Sequence, residues 1–335
     1  MRTAVVRRRR SESEAAPGAQ PATSHGAPAP VGPALARPLG RRTPARAWLS
    51  ALRPRQWVKN VLVLTAPVAA GVIGKPSPLV HAVLAMLCFC AASSGIYLVN
   101  DSLDVVEDRL HPSKRRRPIA AGEISAVTAK VAGIVLAVAS LAAGVAVGGW
   151  SLGVVLAIYV AISFSYSFGL KRVPVIELLC VSSGFLLRAT AGGVAARVHL
   201  SLWFLVFISS GALLIGTGKR TAEYLELGEE RASHRPVLAF YRLSWLVAVR
   251  YLTAAITIGT YFLWSLVRAG AVDDRVHDGL FFELSVIPFI VIIVLIERAI
   301  DKGRGGAPEE LAFHDRYIQL AGVALVALLA VGLYS

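Results

Sequence analysis

The chain has 335 residues, 55% hydrophobic and only 17% charged, with 35 Lys and Arg against 21 Asp and Glu for a formal net charge of +14. Soluble domains run nearer one quarter charged, so a mean hydropathy of +0.61 excludes an ordinary soluble enzyme and points to the bilayer. The basic excess lies in an N-terminal arm and in alternate loops, and no zinc-finger, RRM or helix-turn-helix pattern accompanies it, which excludes nucleic acid as the partner.

Residues 1–45 are rich in Ala, Pro, Arg and Ser, without apolar periodicity. The run Arg7-Arg8-Arg9-Arg10 is followed by no apolar stretch, so this is a disordered basic arm suited to anionic lipid headgroups, not a signal peptide. Residues 46–335 form one polytopic transmembrane domain. About nine apolar runs can each cross a ~30 Å hydrocarbon core, near 57–74, 79–99, 126–147, 149–168, 174–195, 201–218, 244–267, 281–299 and 316–334. The expected fold is an all-α integral membrane bundle. The arm and the loops near 100–125, 169–173, 219–243 and 300–315 carry most of the basic residues. The opposite loops hold only Lys75, Arg197, Arg268 and Arg275, beside Asp273, Asp274 and Asp278. The positive-inside rule therefore predicts a multi-pass plasma-membrane protein, N-terminus cytoplasmic and C-terminus outside, with its motif-bearing loops facing the cytoplasm. Cys88, Cys90 and Cys180 fall inside apolar runs and read as small buried hydrophobes.

The strongest chemical signal ends the second run. If the helix continues through Asn100-Asp101-Ser102-Leu103-Asp104-Val105-Val106-Glu107-Asp108, then Asn100, Asp101, Asp104 and Asp108 share one face within an arc of about 100°. Three carboxylates so placed need a cation, and hard oxygen ligands suit Mg²⁺ shared with substrate phosphates. A solvated acidic helix end is the plainer alternative, disfavoured by the apolar span before it and the basic cluster after it. That cluster, Lys114-Arg115-Arg116-Arg117-Pro118, forms a clamp for phosphate oxygens, with Arg117 singled out because Pro118 fixes the local chain.

Asn100 to Asp108, followed by Arg117-Pro118-Ile119-Ala120-Ala121-Gly122, resembles the UbiA-type prenyltransferase superfamily, with its NDxxDxxxD and RPxxxG signatures. The resemblance implies a UbiA-like helical bundle in which two helix-borne acidic motifs hold Mg²⁺ on a diphosphate. Further stretches resemble its decaprenyl-phosphate phosphoribosyltransferase branch. They are Leu52 to Asn60, Tyr166-Ser167-Phe168-Gly169-Leu170-Lys171, Ser182 to Arg188, and Gly218-Lys219-Arg220-Thr221-Ala222-Glu223. That branch implies transfer of a 5-phosphoribosyl group from phosphoribosyl diphosphate (PRPP) to decaprenyl phosphate, for an arabinose donor used in actinobacterial cell-wall polymers. On this basis Asp101, Asp104 and Asp108 are the candidate catalytic residues. Asn100, Asp104, Asp108 and Glu177 are the candidate metal ligands, Glu177 standing where the family's second motif has Asp. Lys59, Asn60, Arg117, Tyr166, Lys171, Arg188, Lys219 and Arg220 are the candidate substrate contacts.

Several of these have plainer roles to weigh. Lys59 can snorkel, Lys171 can serve topology alone, and Lys219 or Arg220 can pair along the helix with Glu223. Arg188 is costlier to explain away, because it lies inside a span and shares a helix face with Glu177, roughly 16 Å distant. Arg250, also inside a span, has no evident partner in the sequence. Glu309, Glu310, Asp315 and Arg316 read as a solvated loop. The motifs of serine hydrolases and P-loop NTPases are missing. An aromatic or haem prenyltransferase using polyprenyl diphosphate, and a non-enzymatic polyprenyl-phosphate binder, remain the alternatives. A homo-oligomer is compatible with the sequence, but the Gly144/Gly148 pair is too common a pattern to argue one.

Overall fold

The computed structural model describes residues 42–228, 236–271, 276–303 and 314–334. The arm up to residue 41, Asp273, Asp274, Arg275, Glu309 and Glu310 lie outside the described residues. Among the described residues all regular structure is helical. In chain order it comprises α1 (Pro44–Ala51), a 3-10 segment (Pro54–Leu64), α2 (Thr65–Ala69), α3 (Pro76–Leu103), α4 (Val105–Leu110) and α5 (Ala126–Phe168). Then come α6 (Ile176–Ala196), α7 (Leu202–Leu227), α8 (Leu243–Ala271), α9 (Val276–Leu284), α10 (Val286–Asp301) and α11 (Arg316–Tyr334). Seven helical stretches are long and apolar enough to cross a membrane: α3, α5, α6, α7, α8, the stretch Gly279–Asp301 through α9 and α10, and α11.

Two expected runs, 126–147 and 149–168, are limbs of the single element α5, broken at Gly148-Gly149. Gly149 has φ 68°, a left-handed conformation open mainly to glycine. The limbs fold back on one another, so Gly144 and Gly148 pack against Leu156 and Leu152 of the same chain. Ser125 starts α5 by accepting the Thr128 N–H at 3.0 Å, and Ser201 does the same for the Phe204 N–H at the start of α7.

The expected first span near 57–74 is corrected: it is the 3-10 segment followed by the five-residue α2, not a continuous α-helix. Pro67 supplies the reason. It has no N–H to offer the Val63 carbonyl, so a regular α-ladder cannot continue there. That carbonyl instead faces Gly192 of α6, where any Cβ would lie 1.7 Å from Val63 O. Backbone therefore rests on backbone, which seats the segment carrying Lys59 and Asn60 against α6. A core of Val63, Phe89, Ala92, Leu152, Leu156 and Ala191 joins this segment to α3, α5 and α6. A second core of Phe204, Tyr261, Trp264, Phe282 and Phe289 joins α7 to α8, α9 and α10.

Candidate active site

Where α3 ends, a cavity of about 440 Å³ opens between the 3-10 segment, α3, the second limb of α5, α6 and α7. Asp104 breaks the helix at φ −90°, ψ 14°, yet the turns on both sides keep their helical bonds, Asp104 N–H to Asn100 O and Asp108 N–H to Asp104 O. The expected acidic face therefore forms, and its two edges have different surroundings. Asn100 and Asp104 line the cavity, with Asn100 Nδ2 donating to Asp104 Oδ2 at 3.0 Å. Asp101 and Asp108 are buried behind them. Arg53 Nη2 donates to both Asp101 oxygens, at 2.6 and 2.7 Å. Arg117 Nη1 bridges Asp101 Oδ1 at 3.1 Å and Asp108 Oδ2 at 2.7 Å. Both guanidinium groups reach the cavity wall, Arg53 lying 4.6 Å from the Tyr97 ring centroid.

Across the cavity the same arrangement recurs. Glu177, expected as a metal ligand, does not reach the cavity wall. It is completely buried, and its oxygens accept Arg220 Nε at 2.6 Å and Nη2 at 2.8 Å. Arg220 also donates to Glu223 at 2.7 Å, because α7 runs on to Leu227 where the sequence suggested a loop from 219. Tyr241 accepts the Val175 N–H at 2.8 Å, and burial pushes its phenol above the ordinary tyrosine value. It therefore stays protonated and directs its O–H toward Glu177 Oε1 at 3.5 Å. Arg53 and Val175 are two of only three non-glycine residues with positive φ among those described, at 54° and 66°. Both strained positions carry this acid–arginine framework.

Arg188 closes the floor. It donates to Asn60 Oδ1 at 2.7 Å, Gly184 O at 2.7 Å and Tyr159 Oη at 2.8 Å, tying the 3-10 segment, α6 and α5 together. Asn60 is thus fully buried behind the wall and acts through Arg188. Lys59, Tyr166, Lys171 and Lys219, read from the sequence as candidate substrate contacts, line the cavity. Lys114, Lys171 and Lys219 form no ion pair with a carboxylate among the described residues. Sequence reasoning missed Arg53 and Lys114 as wall residues. Arg53 lies in the Leu52 to Asn60 stretch and Lys114 in the basic cluster, so both were within reach. Asp315 instead accepts the Tyr317 N–H at 2.9 Å, as a helix cap.

The donor set bears on a metal. Among the described residues no three carboxylate, His or Cys groups converge. What faces the cavity is one carboxylate, Asp104, beside the amide of Asn100. Two oxygen ligands on one wall fit a hard cation such as Mg²⁺, which keeps several waters and shares phosphate oxygens instead of demanding a full protein cage.

Comparison with known proteins bears on the family and the fold. The model of the UbiA prenyltransferase family matches residues 61–314. The decaprenyl-phosphate phosphoribosyltransferase of Corynebacterium glutamicum is 40% identical over 291 residues, covering 85% of this chain and 86% of that protein. The enzyme of the same name from Mycobacterium tuberculosis is 42% identical over 288 residues, covering 83% and 91%. A UbiA homolog from Archaeoglobus fulgidus bound to GPP and Mg²⁺ superposes with a TM-score of 0.62 over 85% of this chain and 98% of that one, at 20% identity. The same homolog bound to Cd²⁺ gives 0.60. These last two show a shared fold.

Proposed function

The chain belongs to the UbiA prenyltransferase family, and we propose that within it the protein transfers the 5-phosphoribosyl group of PRPP to a polyprenyl phosphate, decaprenyl phosphate by likeness to the two named relatives. One observation carries the reading beyond the family. The cavity wall holds eight basic side chains, Arg53, Lys59, Lys114, Arg117, Lys171, Arg188, Lys219 and Arg220, against a single carboxylate, Asp104. A lone diphosphate needs fewer. PRPP brings a 1-diphosphate and a 5-phosphate, and the lipid acceptor adds a third phosphate.

Asn100 and Asp104 would hold Mg²⁺, which supplies Lewis-acid neutralisation of the departing diphosphate. Arg53 and Arg117, locked by Asp101 and Asp108, present fixed cations to that diphosphate without having to reorganise during reaction. Arg220, locked by Glu177, does the same on the facing helix, with Lys171 and Lys219 beside it for the 5-phosphate. The bond from ribose C1 to the diphosphate oxygen breaks, and a bond from C1 to an oxygen of the lipid phosphate forms. The nucleophile is already anionic at neutral pH, so no general base is needed, and Tyr241 remains a neutral support. Catalysis is then positioning and electrostatic stabilisation. PRPP enters from the cytoplasm, while the polyprenyl chain lies among the helices or in the bilayer.

The test uses purified protein in detergent with Mg²⁺, radiolabelled PRPP and decaprenyl phosphate. Label should enter the organic phase, depend on Mg²⁺ and be lost in Asp104→Ala. Consumption of a polyprenyl diphosphate with an aromatic acceptor, and no label transfer, would overturn the phosphoribosyl assignment. Lipid binding by the wild-type protein with no product of either kind would overturn the enzymatic one.

A further inference from the structure

A second cavity, of about 180 Å³, lies between the end of α2, the α6–α7 turn and α8, lined among others by Ala69, His199, Ser201, Phe204, Trp264 and Arg268. It sits at the end of the bundle opposite the catalytic cavity. The 21-residue α6 begins with Glu177 behind that cavity and ends just before His199, a separation of roughly 30 Å along the helix. Arg268 is the anomaly here. Among the described residues its buried Nε has no hydrogen-bond partner and no carboxylate pairs with it. Its guanidinium carbon lies 5.8 Å from the centroid of the Phe282 ring. The buried arginines Arg188, Arg220 and Arg250 all have hydrogen-bonding or ionic partners. A half-buried guanidinium whose Nε has no partner among the described residues, set beside Trp264, Phe204 and Phe282, favours an anion next to it.

The remaining lining suits such an anion. Ser201 caps α7, whose first-turn N–H groups and positive dipole end border the cavity, and exposed His199 adds a further donor. The volume is below that of drug-sized ligand sites, so a nucleotide or sugar diphosphate is too large, whereas a phosphate headgroup fits. Exposed Val267 lines the cavity, and exposed Leu202 and Leu266 adjoin the lining residues Ser201 and Val267 in the chain, on α7 and α8.

We propose that this cavity binds a phosphate-bearing anion through Arg268, and that the ligand is the headgroup of an anionic phospholipid whose acyl chains lie against Leu202, Leu266 and Val267. The experiment is native mass spectrometry and thermal inactivation of the purified full-length protein in detergent. It is titrated with phosphatidylglycerol, phosphatidylcholine or inorganic phosphate. Wild type should retain phosphatidylglycerol several-fold better than phosphatidylcholine and be stabilised by it. Arg268→Gln should weaken that retention about tenfold, Arg268→Lys should keep most of it, and His199→Ala should lower it about threefold. Transferase activity unchanged in all three variants would show that they are folded. Equal retention by wild type and Arg268→Gln, or by wild type and His199→Ala if the glutamine variant does not fold, overturns the site. Stabilisation by inorganic phosphate that matches and displaces phosphatidylglycerol overturns the lipid assignment and leaves a free-phosphate site.

Discussion

Two clusters of arginine and carboxylate are built from the same groups with opposite polarity. At the catalytic cavity the acids are inside: the side chains of Asp101 and Asp108 are 4% and 3% exposed, while those of Arg53 and Arg117 are 25% and 26% exposed. In the α8–α10 cluster the arginine is inside. Arg250 is 0% exposed and pairs with Glu297 at 2.8 Å and with Asp301, which is 50% exposed. A buried carboxylate under an arginine aims a cation at the cavity. A buried arginine under carboxylates holds two helices together and offers nothing to a ligand. The sequence raised Arg188 and Arg250 as the same question, an arginine within a span, and only the placement of their partners separates them.

The comparison breaks most directly at Asp101. In Asp101→Ala, Arg53 and Arg117 lose their shared anchor, and kcat/KM for PRPP should fall by about 10² to 10³. The Mg²⁺ concentration for half-maximal activity should stay near wild type in that variant. In Asp104→Asn it should rise, because Asp104 faces the cavity and Asp101 does not. A matching rise in Asp101→Ala would mean that Asp101 is a metal ligand after all. Opposite behaviour is expected at Arg250. Arg250→Met leaves Glu297 unpaired and should cost about 3 kcal/mol, read as faster thermal inactivation, with kcat/KM of the surviving enzyme within about twofold. Adding Glu297→Leu should recover most of the loss, since an apolar pair replaces a buried ionic one. A large fall in kcat/KM for Arg250→Met would dissolve the distinction between the two clusters.

Much of this was legible, and the remainder failed for identifiable reasons. The helical angles of Asn100, Asp104, Asp108 and Asp101, about 0°, 40°, 80° and 100°, already divide into two pairs. Which pair is buried depends on Arg53, 48 residues earlier in the chain, a contact that no local spacing announces. Glu177 was placed on the right helix end and given a ligand's role. Its partner Arg220 lies 43 residues on, on a helix longer than hydropathy suggested, because Lys219, Arg220 and Glu223 are polar yet still helical. The apolar run at 57–74 had the length of a span and not its geometry, since Pro67 outweighs hydropathy in deciding whether a ladder continues. Arg250 found its partners, Glu297 and Asp301, at the far end of a different span.

The smallest expected effect tests the other half of the cavity's chemistry, the lysines Lys114, Lys171 and Lys219, which no acid among the described residues holds. Lys171 follows the second limb of α5 in a short 3-10 turn, and it has neither a buried anchor nor an ion-pair partner among the described residues. A flexible ammonium of this kind attracts a phosphate as a point charge without fixing its orientation. Lys171→Ala should therefore raise KM for PRPP about three- to tenfold and leave kcat within about twofold, since the interaction contributes alike to ground and transition states. The difference between wild type and variant should shrink as salt rises, because the ammonium sits where ions can screen it. Asp101→Ala should keep its full defect at high salt, because the arginines it positions act from within the protein. A fall in kcat for Lys171→Ala that salt does not soften would place Lys171 with the anchored arginines, on the side of the comparison where geometry and not charge alone does the chemistry.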